Sequence, residues 1–242
     1  MMSNSIRFPP LLSLVVALGL PVCATADSIP TPVRTFVQAF VGGDGQGAVR
    51  ATAVPNLYEV RLGDQFIYVT ADAKFFLHGD LYETRDQRNL TESSRREVRR
   101  DIVDAIDPQT YIVFEPSKPR HTVTVFTDVD CPYCAKFHLE VPDLNALGVR
   151  VRYAAWPRSP QGSESFARSV SVWCANDPHQ AMTDAKAGRT IEPAECENPV
   201  QRHFDAGRRL GVRGTPTIVT EGGDTIGGYV PYRELVEMLE QG

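Results

Sequence analysis

The chain has 242 residues, of which 42% are hydrophobic and 23% charged, an ordinary balance for a globular protein. With 25 Lys and Arg against 30 Asp and Glu, its formal net charge is −5. This acidic balance gives no reason to propose nucleic acid or an anionic membrane as a partner.

The first 26 residues have the layout of a secretory signal. Arg7 lies in a short basic start, an apolar run extends from Leu11 to Val22, and Ala24-Thr25-Ala26 is a small-residue cleavage site. A run of about a dozen residues is too short for a membrane-spanning helix, which needs about 20. Lipidation of Cys23 is disfavoured, because a small residue is expected where Val22 stands. We therefore expect a soluble exported protein, cleaved near Ala26.

A small module of one helix and one sheet is predicted next. A helix candidate covers Pro32 to Val41. The segments Leu57 to Leu62, Gln65 to Thr70 and Lys74 to Leu77 are rich in aromatic and β-branched residues and are separated by turns, which predicts an antiparallel meander. About 60 residues make a marginal core, so we expect this module to rely on a partner.

A polar helix from Thr91 to Ile106 is predicted to connect this module to the rest of the chain. Thr91 or Ser94 is the expected N-cap, with Glu97 three residues after Ser94. One apolar stripe has helical spacing: Val98, Ile102, Val103 and Ile106. Four arginines are a candidate anion-binding patch: Arg95, Arg96, Arg99 and Arg100. They alternate with acidic residues, so we expect a solvated helix face instead.

The remainder of the chain interleaves strands and helices. Strands are predicted at Tyr111 to Phe114, His121 to Phe126 and Val149 to Ala155, with a closing hairpin of Thr217 to Thr220 and Thr225 to Gly228. Helices are predicted from the turn at Cys131 to about Leu147, over most of Ser163 to Arg209, and from Tyr232 to Glu240. This alternation indicates an α/β domain with a central sheet.

The segment Cys131-Pro132-Tyr133-Cys134 carries the strongest chemical signal. Two residues separate the cysteines, so one helical turn can bring their sulfurs within reach of a reversible disulfide. The motif follows an apolar strand and opens a helix, with Pro132 suited to the first turn. Cys131 is therefore expected at the positive helix end as the attacking thiolate, and Cys134 as the less exposed resolving thiol.

Two further cysteines, Cys174 and Cys196, are 22 positions apart. A zinc site is the rival interpretation of the four cysteines, but structural zinc usually needs a second short ligand spacing, which is absent here. The spacing favours a redox-inert disulfide between Cys174 and Cys196. Such a link would stabilise the fold by roughly 3 kcal/mol in the chain-entropy model.

Several polar and aromatic residues near the motif have two interpretations each. Asp130 is expected to be a modest counterweight to the thiolate or a solvated cap, and Asp128 a turn or capping group rather than a proton carrier. His138 could carry protons, but a packing role is favoured. Trp156 and Trp173 are expected in the core or in a groove.

A helix-opening CxxC after a strand, followed much later by Gly214-Thr215-Pro216-Thr217 before another strand, resembles the thioredoxin superfamily. The resemblance implies a cis Thr215–Pro216 bond beside the cysteines and a Thr215 backbone that pairs with the substrate chain. Together with Pro216 and Tyr133, Thr215 is the predicted substrate-binding set. No cofactor and no metal are implied.

The match narrows to the DsbC/DsbG family of bacterial periplasmic disulfide isomerases. It rests on Val125-Phe126-Thr127-Asp128, Asn145-Ala146-Leu147-Gly148, Trp173-Cys174-Ala175, Leu210-Gly211-Val212, and upstream on Phe76 to Tyr82 and Asn89-Leu90-Thr91. The implied fold is α/β, a thioredoxin-like catalytic domain with a helical insertion at 109–242. A small α+β (cystatin-like) dimerisation domain at 27–88 and a linker helix at 89–108 precede it.

The resemblance implies a periplasmic homodimer that rearranges non-native disulfides in misoxidised exported proteins through a Cys131 mixed disulfide. A membrane thiol reductase of the DsbD type is the implied electron donor. One departure is Pro132-Tyr133, where the family commonly has Gly-Tyr. Because the intervening residues tune reduction potential, a net thiol oxidase is an alternative. A chaperone-like dimer with secondary thiol chemistry is another.

Overall fold

The computed structural model describes residues 29–41, 49–63 and 65–241. The predicted export signal at residues 1–26, together with Cys23, lies outside the described residues. In the ranges that are described, no helix is both long enough and apolar enough to cross a bilayer. The strands form a four-stranded sheet, a two-stranded hairpin and a five-stranded sheet, in that order along the chain.

The amino-terminal module confirms the predicted helix and meander. Its elements are helix α1 (Thr31–Val41) and strands β1 (Val49–Ala51), β2 (Leu57–Leu62), β3 (Gln65–Thr70) and β4 (Phe76–His78). The strands pair antiparallel in the order β1-β2-β3-β4. Val33 and Val37 of α1 are buried against Val60, Ile67 and Val69, which form a small core. This core therefore lies between α1 and one face of the four-stranded sheet.

Strand β4 begins two residues later than predicted, at Phe76 instead of Lys74. The Asp72 carboxylate accepts hydrogen bonds from the Thr70 hydroxyl at 2.7 Å and from the Lys74 backbone N–H at 3.2 Å. These bonds hold the chain in a turn, with Ala73 in the left-handed region at φ 55°. The turn therefore takes up Lys74, which the sequence pattern assigned to the strand.

The connecting helix α2 (Leu90–Asp104) follows a short hairpin of β5 (Tyr82–Glu83) and β6 (Arg88–Asn89). The predicted caps are wrong, because Asn89 is the N-cap and accepts from the Glu92 N–H at 2.8 Å. Thr91 and Ser94 are buried against the amino-terminal module instead. The Thr91 hydroxyl bonds the Tyr68 hydroxyl, and the Ser94 hydroxyl donates to Glu59 at 3.0 Å.

The expectation of a solvated arginine face on α2 is wrong for Arg95 and Arg99, which are partly buried, whereas Arg96 and Arg100 are exposed as expected. Arg95 pairs with Asp80 at 2.6 Å, Arg96 with Asp224 at 2.7 Å, and Arg99 with Glu92 at 2.5 Å. Asp80 lies before α2 in the chain and Asp224 lies after it, so these two ion pairs connect α2 to the structure that precedes it and to the structure that follows it. The predicted apolar stripe is confirmed, since Ile102, Val103 and Ile106 are buried against Tyr111, Ala206 and Leu210.

The second sheet confirms the predicted α/β domain. Its strands are β7 (Ile112–Phe114), β8 (His121–Thr127), β9 (Val149–Ala155), β10 (Thr217–Thr220) and β11 (Thr225–Gly227). Their spatial order is β11-β10-β8-β9-β7, in which β8 and β9 are parallel and all other pairs are antiparallel. A 3-10 turn, Pro108–Thr110, leads from α2 into β7.

Six helices cover this sheet: α3 (Pro132–Leu139), α4 (Val141–Ala146), α5 (Glu164–Trp173), α6 (Pro178–Lys186), α7 (Val200–Leu210) and α8 (Tyr232–Gln241). The single helix predicted up to Leu147 is broken at Glu140, because Pro142 in the first turn of α4 cannot donate to a continued helix. A disulfide joins Cys174, at the end of α5, to Cys196, in the loop before α7, as the spacing suggested. This disulfide closes a loop within the helical insertion, and the loop contains α6.

Candidate active site

The dithiol lies at the amino end of α3, directly after β8. Cys131 is the N-cap of this helix and Pro132 its first residue. The unpaired N–H groups and the dipole at this helix end favour a thiolate at Cys131. Cys134 lies one turn further in, and both cysteines are free thiols. Both are buried, at 3% and 1% exposed, and Cys134 is the less exposed of the two, as predicted.

The surroundings shift the pKa values of the two thiols in opposite directions. Burial is the largest influence on Cys131 and raises its pKa, but hydrogen bonds from Thr215 and from the Cys134 and Tyr133 backbone outweigh it, so the net pKa is lowered. Burial also raises the pKa of Cys134, and there the partial compensation from Lys186 and Thr127 leaves the net pKa above its usual value. Cys131 is thus the more readily ionised thiol.

The loop before β10 brings Thr215 and Pro216 against Cys131. The Thr215–Pro216 peptide bond is cis. The Cys131 thiol donates to the Thr215 carbonyl oxygen at 3.2 Å. The Thr215 hydroxyl is buried without a hydrogen-bond partner in the described structure while both cysteines are thiols, and it is close enough to stabilise a Cys131 thiolate. Four of the predicted site residues therefore meet at one point.

Tyr133 is the exposed member of the predicted set, with 63% of its surface accessible. A groove of about 490 Å³ begins at Thr215 and runs between α2 and the segment that joins α7 to β10. Four arginines line it: Arg95, Arg99, Arg209 and Arg213. Neither cysteine lines this groove, which adjoins the site without containing the dithiol.

Asp128 and Asp130 organise the loop that presents Cys131. The buried Asp128 carboxylate accepts from the Asp130 N–H at 2.7 Å and from the Arg158 N–H at 2.6 Å, as expected for a turn group. Asp130 is paired with Arg168, so its charge is offset. This pairing fits the expected modest counterweight to the thiolate, and not a solvated cap.

His138 is buried, and both of its ring nitrogens have partners away from the dithiol. Nδ1 lies 3.0 Å from the Tyr153 hydroxyl and Nε2 lies 3.1 Å from the Thr183 hydroxyl. Burial, followed by the nearby charge of Lys186, lowers the pKa of His138 to about 4. The packing role is therefore the one that the geometry supports.

Lys186 is a residue that the sequence reasoning missed. Its side-chain nitrogen reaches under the dithiol from the end of α6, donating to the Thr127 hydroxyl at 2.8 Å and to the Asp128 carbonyl at 2.6 Å. The available signal was its place on the apolar face of α6, four residues after the buried Met182. Lysine is rare at such buried helix positions, so the pattern marks Lys186 as an unusual residue.

Cys174 and Cys196 are joined to each other and so hold no metal. Across the described ranges, no group of three or more His, Cys, Asp or Glu residues is arranged to bind a metal ion.

Comparison with known proteins agrees with this geometry. Residues 109–242 match a family model described as a thioredoxin-like domain, and residues 24–92 match the N-terminal domain of disulfide bond isomerase proteins. A crystal structure of a disulfide interchange protein from Neisseria gonorrhoeae superposes with a TM-score of 0.51 at 27% identity, covering 56% of this chain and 97% of that chain. Fold and site together define a thioredoxin-like thiol-disulfide oxidoreductase.

Curated relatives identify the family. The thiol:disulfide interchange protein DsbC of Escherichia coli K12 is 32% identical over 193 residues, which are 80% of each chain. The Haemophilus influenzae protein of the same name is 35% identical over 196 residues, 80% of this chain and 83% of that protein. The chain belongs to the DsbC family of thiol:disulfide interchange proteins.

Proposed function

We propose that this protein rearranges and reduces disulfides through Cys131 as nucleophile and Cys134 as resolving thiol. The observation that carries the proposal is the position of Cys131 at the amino end of α3, with a lowered pKa beside a resolving thiol whose pKa is raised. Two thiols with separated pKa values divide the work between attack and resolution.

In the first step, the Cys131 thiolate attacks one sulfur of a substrate disulfide. A Cys131–substrate disulfide forms, the substrate disulfide breaks, and the other substrate sulfur leaves as a thiolate. In isomerisation, a substrate thiolate then attacks the mixed disulfide and regenerates the Cys131 thiolate. In reduction, Cys134 attacks Cys131, the internal disulfide forms and the substrate leaves with both of its sulfurs reduced.

Thr215, Pro216 and Tyr133 are the proposed substrate contacts. Thr215 supplies a backbone beside the nucleophile, with its carbonyl 3.2 Å from the Cys131 sulfur. The exposed Tyr133 ring offers an apolar surface to a substrate segment on the other side of the thiol. An extended substrate chain held by backbone hydrogen bonds needs no particular side chain, which suits a protein that acts on many misfolded chains.

The proposed substrates are misoxidised exported proteins, and the proposed compartment is the periplasm. Disulfides persist in that compartment, and this chain carries one that joins Cys174 to Cys196. An isomerase acts only while Cys131 and Cys134 are dithiols, so it needs a supply of electrons. A membrane thiol reductase of the DsbD type is the proposed donor.

A homodimer formed through the amino-terminal module is also part of the proposal. The β4 strand is the edge of its sheet and exposes the apolar residues Phe76 and Leu77, each 54% accessible. Phe36 and Phe40 of α1 extend this surface, with ring centroids 5.2 Å apart and with Phe76 about 6 Å away from each. An apolar edge strand with unpaired backbone groups suits pairing with a second copy.

The test is reactivation of a scrambled multi-disulfide protein in a glutathione buffer, with a reduced dithiol substrate as the oxidation control. The wild-type chain should unscramble quickly and oxidise slowly, and Cys131→Ser should abolish the reactivation. Cys134→Ser should accumulate mixed disulfide while retaining part of the shuffling. Wild-type reactivation by Cys131→Ser would refute the mechanism, and strong oxidation with little unscrambling would instead support the net thiol oxidase that Pro132 suggests.

A further inference from the structure

A buried lysine lies beneath the dithiol with no role in the steps described so far. Lys186 is 8% exposed, yet its two hydrogen bonds go to neutral acceptors, the Thr127 hydroxyl and the Asp128 carbonyl. Lysines are almost never buried without a charged partner, because the ammonium group loses its hydration. Of the groups whose charge raises the pKa of Lys186, the Cys134 thiolate has the largest effect.

Thr127 connects Lys186 to Cys134. The Thr127 hydroxyl is 2.8 Å from the Lys186 nitrogen and is close enough to the Cys134 sulfur to lower the pKa of that thiol. Thr127 is 1% exposed, so bulk water does not reach it to exchange protons directly. A hydroxyl both donates and accepts, which allows it to pass a proton between a thiol and an amine.

Burial brings the pKa values of Lys186 and Cys134 closer together. It lowers the pKa of Lys186 from its ordinary value, although nearby Cys134 and Asp128 oppose this. It raises the pKa of Cys134, which Lys186 in turn opposes. A neutral amine next to a thiol and an ammonium next to a thiolate are thus closer in free energy than they would be in water.

We propose that Lys186 accepts the proton of Cys134, through the Thr127 hydroxyl, when Cys134 resolves the mixed disulfide. This inference rests on the proposed roles of the two cysteines and adds a proton-relay residue from the helical insertion. Lys186 touches no substrate atom, so it acts by setting the protonation of Cys134.

Two protons move together in this step. Lys186 starts as the neutral amine: the Cys134 proton moves to the Thr127 oxygen, and the Thr127 hydroxyl proton moves to the Lys186 nitrogen, which becomes an ammonium group. The Cys134 sulfur then attacks Cys131, forming the Cys131–Cys134 bond and releasing the substrate sulfur as a thiolate. When the protein is reduced again, the relay runs backwards and returns the proton to Cys134.

Other charged or titratable groups face this position from α3, from the loop after β8 and from the segment after β9. They are Cys131, His138, Asp128, Asp130 and Arg158, together with Tyr153 of β9, whose pKa burial raises well above its ordinary value. Asp128 and Asp130 are paired with Arg158 and Arg168 respectively. His138 has a pKa near 4, so above about pH 5 its charge does not change. Cys134 and Lys186 are therefore the pair that exchanges the proton.

The experiment follows the mixed disulfide directly. The reduced full chain is mixed with a disulfide-linked peptide, quenched with acid, and the mixed disulfide is quantified by mass spectrometry across pH 5 to 9. Variants are Lys186→Met, which fits the buried site without a charge, Thr127→Val, which removes the relay hydroxyl, and Thr127→Ser, which keeps it. Lys136→Met is the matched control, because it removes an exposed cation from α3 itself.

Lys186→Met and Thr127→Val should form the mixed disulfide at the wild-type rate and resolve it about tenfold more slowly near pH 7, the effect of a one-unit rise in the Cys134 pKa. Their pH profiles for resolution should move to higher pH by the same amount. In the Cys131→Ala background, thiolate absorbance at 240 nm should show the same shift for Cys134. Thr127→Ser and Lys136→Met should resolve like the wild type.

The outcomes separate the two proposals. If no mixed disulfide forms in the wild type, the proposed function fails. If it forms in Lys186→Met and is resolved at the wild-type rate and with the wild-type pH profile, the relay is overturned. Equal slowing by Lys136→Met would also overturn it, because charge in general would then be responsible. If Lys186→Met does not unfold cooperatively, the Thr127→Val and Thr127→Ser pair decides.

Discussion

At the scale of single residues, Thr215 has two contacts with the nucleophile. Its carbonyl accepts from the Cys131 thiol, which favours the protonated form, whereas its buried hydroxyl is free to donate to the thiolate. When the proton leaves Cys131, the hydroxyl can replace the lost hydrogen bond. The loop thus offers a partner to each protonation state of the same sulfur.

Replacing Thr215 by valine removes only the hydroxyl and is expected to raise the pKa of Cys131. A hydrogen bond to a charged group contributes roughly 1.5 to 3 kcal/mol, so a rise of about one to two pKa units is expected. The measurement is the rate of iodoacetamide alkylation of Cys131 against pH. Thr215→Ser retains the hydroxyl and should behave like the wild type, and an unchanged profile in Thr215→Val would contradict this assignment.

The sequence predicted residues whose signal is local and missed those whose partner is distant. Cys131, Cys134 and Pro216 stand in short motifs whose residue types indicate their chemical or structural role, so the sequence predicts them as site residues. Lys186 contacts Thr127 across 59 positions, and no spacing rule connects an α6 lysine to the end of β8. Asn89 was missed as the cap of α2 because Thr91 and Ser94 are equally good caps until their burial is known.

At the scale of elements, α7 packs against the segment after β9 through Gly207. A Cβ atom at Gly207 would lie 2.5 Å from Cδ1 of Trp156. Trp156 is held between this position and Phe204, whose ring centroid is 5.6 Å away. The missing side chain therefore allows the tryptophan ring to approach the helix backbone closely.

Gly207→Ala is expected to destabilise the catalytic domain, although alanine normally stabilises a helix interior by up to about 1 kcal/mol over glycine. The inserted methyl group would displace Trp156, and overpacking typically costs about 1 to 3 kcal/mol. Both tryptophans of the chain, Trp156 and Trp173, lie in this domain, so urea unfolding followed by tryptophan fluorescence reports on it. Gly227→Ala, with no atom within 4 Å of the new Cβ, is the control and should be neutral.

His203 joins three elements and must stay neutral to do so. Its Nδ1 accepts from the Ala155 N–H at 3.2 Å, so the ring proton is on Nε2, which donates to the Thr110 hydroxyl at 2.9 Å. Burial, followed by the charge of Arg202, lowers the pKa of His203 to about 4. The unfolded chain therefore binds this proton more readily than the folded one, and stability falls as pH drops from about 6.5 toward 4.

His203→Gln is expected to reduce this loss of stability on acidification. In the wild type, the two buried histidines His138 and His203 each remove roughly 2 to 3 kcal/mol between pH 7 and pH 4.5, because their folded pKa values lie below that of a free histidine. Urea unfolding at the two pH values should show that the variant loses roughly 2 to 3 kcal/mol less stability than the wild type on acidification. The exposed His179→Gln is the control. Equal acid sensitivity of His203→Gln and the wild type would contradict the assignment.

At the scale of the whole molecule, the proposed dimer makes the amino-terminal surface decisive. Leu77→Lys places a charge in the middle of the exposed edge strand β4, which should oppose the approach of a second copy. Sedimentation equilibrium should show the wild type as a dimer and the variant as a monomer. Met238→Lys alters a comparably exposed apolar residue on α8 and should leave the dimer intact. A monomeric wild type would refute this part of the proposal.

The turn between β10 and β11 joins the catalytic domain to α2 by backbone contact. Gly223, at φ +85°, approaches the Arg96 carbonyl so closely that a Cβ atom would lie 2.3 Å from its oxygen, and Asp224 next to it pairs with Arg96. This turn is at the far end of β10 from Thr215. The turn that contacts α2 and the loop beside Cys131 therefore lie at opposite ends of β10. A substrate segment bound beside Thr215 would therefore be separated from the contact with α2 by the length of β10.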